Sequence, residues 1–225
     1  MSPITLLDAQ LLRQDIEVKE GESLDINLAL LSDFVPGEIT INVGKSARVN
    51  AALADFSLGS GKFKVTVNLE EGACLEWNLS SFSRNQDKKE FDVSCIHLGR
   101  KSQGQVSNYG LAKDSSKLVF SGVSKIERGC KESSPRQEAK IIVFGKEADG
   151  KCFPILKIDE NDVSASHGAT VGRMNDDHLF YMLSRGLPEK EARKLIPLGY
   201  LTPILSHLTD EGLKKKVESR IEEAL

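Results

Sequence analysis

The sequence predicts a mainly β protein that ends in a small helical unit, and three observations carry that reading. Short segments of alternating apolar and polar residues recur from Asp25 to Ile158. Turn signals separate these segments and no long helical pattern interrupts them. After Gly172 the composition changes, and apolar residues recur at helical spacing instead.

Taken in order, Ile39, Ile41 and Val43 alternate with Thr40 and Asn42, and Val49, Ala51 and Leu53 follow. Phe63, Val65, Val67 and Leu69 alternate with Lys64, Thr66 and Asn68. Then come Leu75-Trp77-Leu79, Phe91-Val93-Cys95, Leu118-Val119-Phe120, Ile141-Ile142-Val143 and Ile155-Leu156-Lys157-Ile158. A period of two is the mark of a half-buried strand. Gly44-Lys45, Gly59-Ser60-Gly61, Glu71-Gly72, Asn85-Gln86-Asp87, Gly129 and Asp149-Gly150 punctuate the run. Without interleaved helices a doubly wound α/β fold is excluded, which leaves an antiparallel sandwich or a stacked solenoid. Strand pairs recur at roughly 20 to 25 residues, a spacing that suits solenoid turns without excluding the sandwich.

In the last part, Asn175 is placed to cap a first helix, with Asp176 and Asp177 in its first turn and Gly186 past its end. Pro188 suits the first position of a second helix carrying Ala192, Leu195 and Ile196, which Pro197 and Pro203 should bend or end. Thr209, Asp210 and Glu211 open a third, with Leu213, Val217, Ile221 and Ala224 on one stripe. The chain thus divides into a β core over residues 1–174 and a helical subdomain over 175–225. Lys214-Lys215-Lys216 reads as a solvated face.

Composition narrows the function. The 225 residues carry a formal net charge of -3, with 28% charged and 40% hydrophobic residues. Bulk electrostatics therefore favour neither nucleic acid nor an anionic membrane as partner. No apolar run approaches the roughly 20 residues that cross a bilayer. Met1 to Asp8 has neither the basic start nor the long apolar segment of a signal peptide, so the expected location is the cytoplasm. Four cysteines in such a chain, with no CxxC pair, are expected to be reduced thiols.

The residues able to carry chemistry are few. Cys74 and Cys95 are 95 − 74 = 21 positions apart, and Cys130 and Cys152 are 152 − 130 = 22 apart. Each interval is near one expected turn, so each pair would stack, either as an apolar interior column or as a sulfur- or iron-handling surface. His97 alternates with Cys95 and shares its side of a strand. His178 and His207 read as surface residues. His167 stands out, inside Ser166-His167-Gly168-Ala169-Thr170-Val171-Gly172, where the β pattern hands over to the helical one. Phe180, Tyr181 and Arg185 would pack the first helix on the end of the β core. Cys95 and His97 are a candidate ligand pair, with core or surface placement as the alternative, and the spacing names no metal.

The strings Phe153-Pro154-Ile155-Leu156-Lys157-Ile158, Asn161-Asp162-Val163 and Ser166 to Gly172 resemble the core of the SufB/SufD family, scaffold components of the SUF system of iron–sulfur cluster assembly. The likeness continues through Asp177, Leu179-Phe180-Tyr181, Ser184-Arg185-Gly186 and Glu191-Ala192-Arg193. It is dense over Lys151 to Tyr200 and thinner at Asn108-Tyr109-Gly110-Leu111 and Phe120-Ser121-Gly122. Before Gly99 only a compatible β pattern is present.

That resemblance implies a right-handed parallel β-helix followed by C-terminal helices. It implies pairing through the β-helix, as a homodimer or with a SufB-like protein, and docking of the helices on a SufC-like ABC ATPase. The expected docking residues are Leu187, Arg193, Leu195, Tyr200 and Leu201. Gly168 places the site on the SufD side, since the SufB branch tends to carry glutamate after the corresponding histidine. His167 matches the SufD histidine at the interface where the nascent cluster forms. The cysteine that SufB contributes would fall near Ala139 and is missing here. The chain is also shorter than typical members and lacks their N-terminal helical region. The expected role is therefore a non-enzymatic scaffold or accessory subunit, with no tightly bound cofactor and a transient iron–sulfur cluster as cargo. Two alternatives stand beside it. One is an interaction protein that keeps the fold and the ATPase docking without cluster chemistry. The other is a β-solenoid enzyme acting on carbohydrate or transferring acyl groups, with Asp159, Glu160 and Asp162 as its carboxylates.

Overall fold

The computed structural model describes residues 2–174 and 176–225. Thirteen strands form two sheets, and every strand pair among the described residues is parallel. One sheet stacks β1 (Ile4–Leu7), β3 (Ser23–Leu30), β5 (Arg48–Asp55), β7 (Cys74–Ser83), β9 (Gln103–Lys113), β11 (Ser134–Phe144) and β13 (Ser166–Arg173). The other stacks β2 (Arg13–Val18), β4 (Gly37–Val43), β6 (Gly61–Leu69), β8 (Lys88–His97), β10 (Lys117–Ile126) and β12 (Asp149–Ile158). The chain alternates between the sheets, so it winds a β-solenoid of about six turns. Parallel pairing rules out the antiparallel sandwich.

Two sequence expectations need correction. Strands begin at Ile4 rather than at residue 25. The turns are also longer than expected. Ile26, Ala51, Trp77, Val106, Gln137 and His167 occupy one ladder position. The repeat therefore grows from 51 − 26 = 25 residues to 137 − 106 = 31. The cause is strand length: β5 has 8 residues and β11 has 11.

Inward positions hold the apolar alternation read from the sequence. Phe63, Phe91 and Phe120 share one ladder position, with ring centroids 6.2 and 6.1 Å apart, and Phe34 meets Phe91 edge-on at 5.7 Å. Such contacts add to the burial of the rings themselves. The next residue on that ladder is Cys152. One corner of the solenoid is built from left-handed residues, Gly21, Ser46, Gly72, Lys101 and Glu132, one per turn. The backbone N–H of each donates to a carbonyl of the following turn, on Lys45, Glu71, Arg100, Lys131 and Asp162. Gly122 is required by close approach, since a Cβ there would lie 1.9 Å from the Val93 carbonyl oxygen.

Two polar plugs close the ends of the β8 interior face. At one, Lys89 and Asp55 are fully buried with Nζ to Oδ2 at 2.9 Å. Lys89 Nζ also donates to the carbonyls of Ser57 at 2.9 Å and Phe82 at 3.1 Å, and Ser81 Oγ donates to Asp55 at 2.6 Å. At the other, His97 Nδ1 meets Ser102 Oγ at 2.7 Å, and Ser102 donates to the Gly99 carbonyl at 2.9 Å. Corner carbonyls fall outside the sheet ladder and need donors, which these side chains supply.

Three helices follow: α1 (Asp176–Ser184), α2 (Glu189–Leu201) and α3 (Glu211–Ala224). The expected Asn175 cap lies outside the described residues. Gly186 takes a positive φ just past α1, as expected. Pro188 sits one position before the helix it was expected to open. Pro197 does not end α2: it is buried inside it, and the helix runs on to Leu201. A proline there forfeits one backbone hydrogen bond, and its burial offsets that loss. Pro203 opens a 3-10 turn over Thr202–Ser206. Asp210 caps α3, its carboxylate accepting from Leu213 N at 2.9 Å.

The helices are not a separate globule. Leu213, Val217 and Ile221 of α3, with Leu201, Ile204 and Leu208, share an apolar core with Ala29, Ala52, Ala54, Phe56, Phe82 and Leu111 of the solenoid. Thr5 Oγ1 donates to Asp210 Oδ2 at 2.7 Å, and Thr209 N donates to Asn27 Oδ1 at 2.8 Å. The C-terminal helix is thereby tied back to the first turns.

Replacing Lys89 by alanine strands the Asp55 charge in the interior and should cost about 3–5 kcal/mol of stability. Removing the half-exposed partner Lys125, which pairs with Glu127 at the surface, should cost about 0–1 kcal/mol. Urea unfolding of both variants checks the contrast.

Candidate functional site: the open last turn

Each inner turn is covered by the next, but β12 and β13 have no strand beyond them among the described residues. The inward column of β11 is Pro135, Gln137, Ala139, Ile141 and Val143, all buried. Its partners on β13 are His167, Ala169, Val171 and Arg173, all exposed although they occupy the same inward column. On β12, Cys152, Pro154, Leu156 and Ile158 are half-buried, while Phe153 and Ile155 are exposed on the outer face. The end of the solenoid therefore presents an unpaired backbone edge, an apolar rim and one imidazole. His167 has no hydrogen-bond partner among the described residues, so both of its ring nitrogens are available. Ala139 lies one inward position from Gln137, directly beneath this edge.

The cysteines do not stack as the spacing suggested. Cys74 lies on β7 and Cys95 on β8, strands of different sheets. Cys130 sits in the corner between β10 and β11, and Cys152 on β12. An interval of 21 or 22 residues falls short of the 25 to 31 that separate ladder partners on the same sheet, so it moves a residue off its ladder. Cys95 is buried with Sγ 3.8 Å from His97 Nε2. Burial pushes the Cys95 thiol up to about 12 and the His97 imidazole down to about 4, so this pair is thiol and neutral ring. Burial also raises Cys152, to about 11, and Cys130. Cys74 faces outward, half-exposed, in a groove of about 470 Å³ lined in part by Arg48, Gln103 and Arg136.

The other expected residues fall as follows. Phe180 and Tyr181 do not pack on the solenoid. They are 73% and 58% exposed, because α1 buries only its Leu179 side, against Ala192 and Ile196 of α2. Arg185 stacks over Tyr181 at 5.2 Å. Of the docking residues, Leu195 and Arg193 are exposed, the latter paired with Glu189 at 2.8 Å. Leu187 and Tyr200 are half-buried. Leu201 is 1% exposed in the core shared with the solenoid and offers no surface to a partner. His178 is exposed, and His207 is half-buried with Nδ1 3.5 Å from Glu76 Oε1. Glu160 is a turn staple: its carboxylate accepts from Asn161 N at 2.9 Å and Gly129 N at 3.1 Å, contacts that hold it below the usual carboxylate range. Among the described residues no three His, Cys, Asp or Glu side chains converge to hold a metal, and no helix is long and apolar enough to cross a membrane.

Residues 35–200 match the family model described as SUF system FeS cluster assembly, SufBD core domain. The chain belongs to the SufB/SufD family. It is SufD-like: it is 35% identical over 213 residues to the iron–sulfur cluster assembly protein SufD of Bacillus subtilis, covering 92% of this chain and 49% of that protein. SufD of Escherichia coli is 33% identical over 115 residues, 51% of this chain and 27% of the relative. A SufBD family protein of Staphylococcus saprophyticus is 25% identical over 165 residues, 72% and 36% of the two chains. This SufD-like chain thus spans about half the length of the Bacillus relative. The family match reaches upstream to residue 35, well beyond the strings near His167. The sequence reading overlooked Lys89, Asp55 and Gln137. A lysine at an inward position of an alternating strand was a usable signal for the first.

Two outcomes follow from the buried groups. Under native alkylation Cys74 should react first and Cys95 only on unfolding, read by mass spectrometry of iodoacetamide adducts. For His97 the folded pKa lies below its ordinary 6.5, so the unfolded chain binds the proton first. Stability should fall as pH drops from 6.5 to 4, by about 3 kcal/mol in total. A His97→Gln variant should show a flatter dependence in denaturant melts across that window.

Proposed function

We propose that this SufD-like chain is a non-catalytic subunit of iron–sulfur cluster assembly, and that its open last turn is the edge at which it pairs with another family member. The observation that carries the reading is the placement of His167: one exposed imidazole on an unpaired parallel edge with an apolar rim. An exposed sheet edge with apolar flanks is a template for pairing. Imidazole is an accepted ligand for iron in such clusters, although thiolates supply most positions. One imidazole does not hold a cluster, so the remaining ligands come from across the interface, from a SufB-like protein or a second copy. The cluster is cargo, formed and passed on. The half-exposed Cys152 is the thiol on the same last turn. Cys74, in its outer groove, and the buried Cys95 and Cys130 lie on other faces and play no part at this edge.

A SufC-like ATPase would dock on α1 and α2. Phe180, Tyr181, Leu183 and Leu195 present apolar surface there, with Arg193 at its side. The alternative that keeps docking and pairing without cluster chemistry draws support from Ala139, which leaves this chain without a thiol at that position.

Anaerobic reconstitution of the chain with a SufB-like partner, iron and sulfide should give cluster absorption that His167→Ala reduces at least tenfold. Absorption unchanged by the substitution would favour the alternative. Deleting residues 175–225 is unsuited as a docking test, since it would strip α3 from the solenoid core. A Phe180→Asp, Leu195→Asp double variant should instead abolish ATPase capture while leaving the melting curve of the chain unchanged.

A further inference from the structure

The ladder position occupied by Ile26, Ala51, Trp77 and Val106 in earlier turns becomes Gln137 in β11 and His167 in β13. Gln137 is the polar member of an otherwise apolar inward column on β11. It is 5% exposed, and its Oε1 is buried without a hydrogen-bond partner. An unpaired buried acceptor is costly, and an apolar residue would fill the position as its predecessors do. The next residue on the ladder is His167, on a strand whose backbone lies one spacing of about 4.8 Å away. The His167 side chain has no hydrogen-bond partner of its own among the described residues, and a ring N–H turned toward β11 would meet the unpaired amide oxygen.

We propose that Gln137 is a positioning residue for His167. Its Oε1 accepts the N–H of one ring nitrogen, which fixes the tautomer and leaves the other nitrogen bare and aimed out of the open turn. A neutral imidazole has one donor and one acceptor, so a hydrogen bond at one nitrogen determines which is free to bind metal. This deepens the reading of His167 as a cluster ligand and rests on it for its purpose, although the hydrogen bond is testable without metal.

The test uses the full metal-free chain, labelled with ¹⁵N, with the His167 ring assigned through His167→Ala. Long-range ¹H–¹⁵N spectra should show a single dominant tautomer in the wild type. Gln137→Leu should return the ring to the mixed tautomers of a free imidazole, and Gln137→Glu, which keeps an acceptor, should restore the single form. Gln137→Met serves where the leucine variant does not fold. A mixed ring in the wild type, or a tautomer unchanged by leucine or methionine, overturns the proposal. Cluster retention separates the two readings. Gln137→Leu should weaken His167-dependent retention by about tenfold. A locked tautomer together with a dispensable His167 would sink the cluster role alone.

Discussion

In a parallel solenoid each turn satisfies the backbone of the turn before it and is left unsatisfied until the next one arrives. That requirement organises the molecule. It forces residues at one ladder position to stack on one another, so that aromatic rings meet rings along Phe63, Phe91 and Phe120. It forces the corners to repeat, so that one left-handed residue recurs at each of five turns. It also leaves the last turn with an outer edge that no strand pairs among the described residues. The feature that gives the core its order is the same one that creates a sticky edge. His167 sits on that edge in a column that elsewhere is core.

Burial sorts the chemistry of the chain into silent and available groups. Cys95 and His97 look like a reactive pair by type and spacing, yet their shared burial favours the neutral forms of both and removes the charge that would make the thiol nucleophilic. Lys89 and Asp55 keep their hydrogen bonds satisfied at a corner where carbonyls lack ladder partners. The groups left available lie on the last turn, in the outer groove at Cys74, and on the exposed faces of α1 and α2.

The helices lie against one sheet of the solenoid, meeting its strands β3, β5, β7 and β9. The start of α3 is fastened to the first turns, through Asp210 to Thr5 and through Thr209 to Asn27. α1 and α2 hold a small core of their own, which leaves Phe180 and Tyr181 facing outward. A surface built this way keeps its apolar groups exposed without endangering the core beneath. It is also why a change of secondary structure near residue 175 does not coincide with a change of core.

The sequence by itself determined the strands, most of the turn signals, the helical ending and, through the strings around His167, the family. It did so because alternation, glycine placement and helix caps are local effects that a few neighbouring residues settle. It did not determine the sheet pairing, since a period of two looks the same in a sandwich and a solenoid. Nor did it reveal the true turn length, which depends on how far each strand extends before the corner, and so it misplaced the cysteines. Whether Leu201 is buried and Phe180 exposed was decided by which face of each helix found the solenoid. That His167 is exposed while Gln137 beneath it is buried follows from the last turn having no strand beyond it among the described residues. Those are contacts between residues distant in sequence, and only the tertiary structure brings them together.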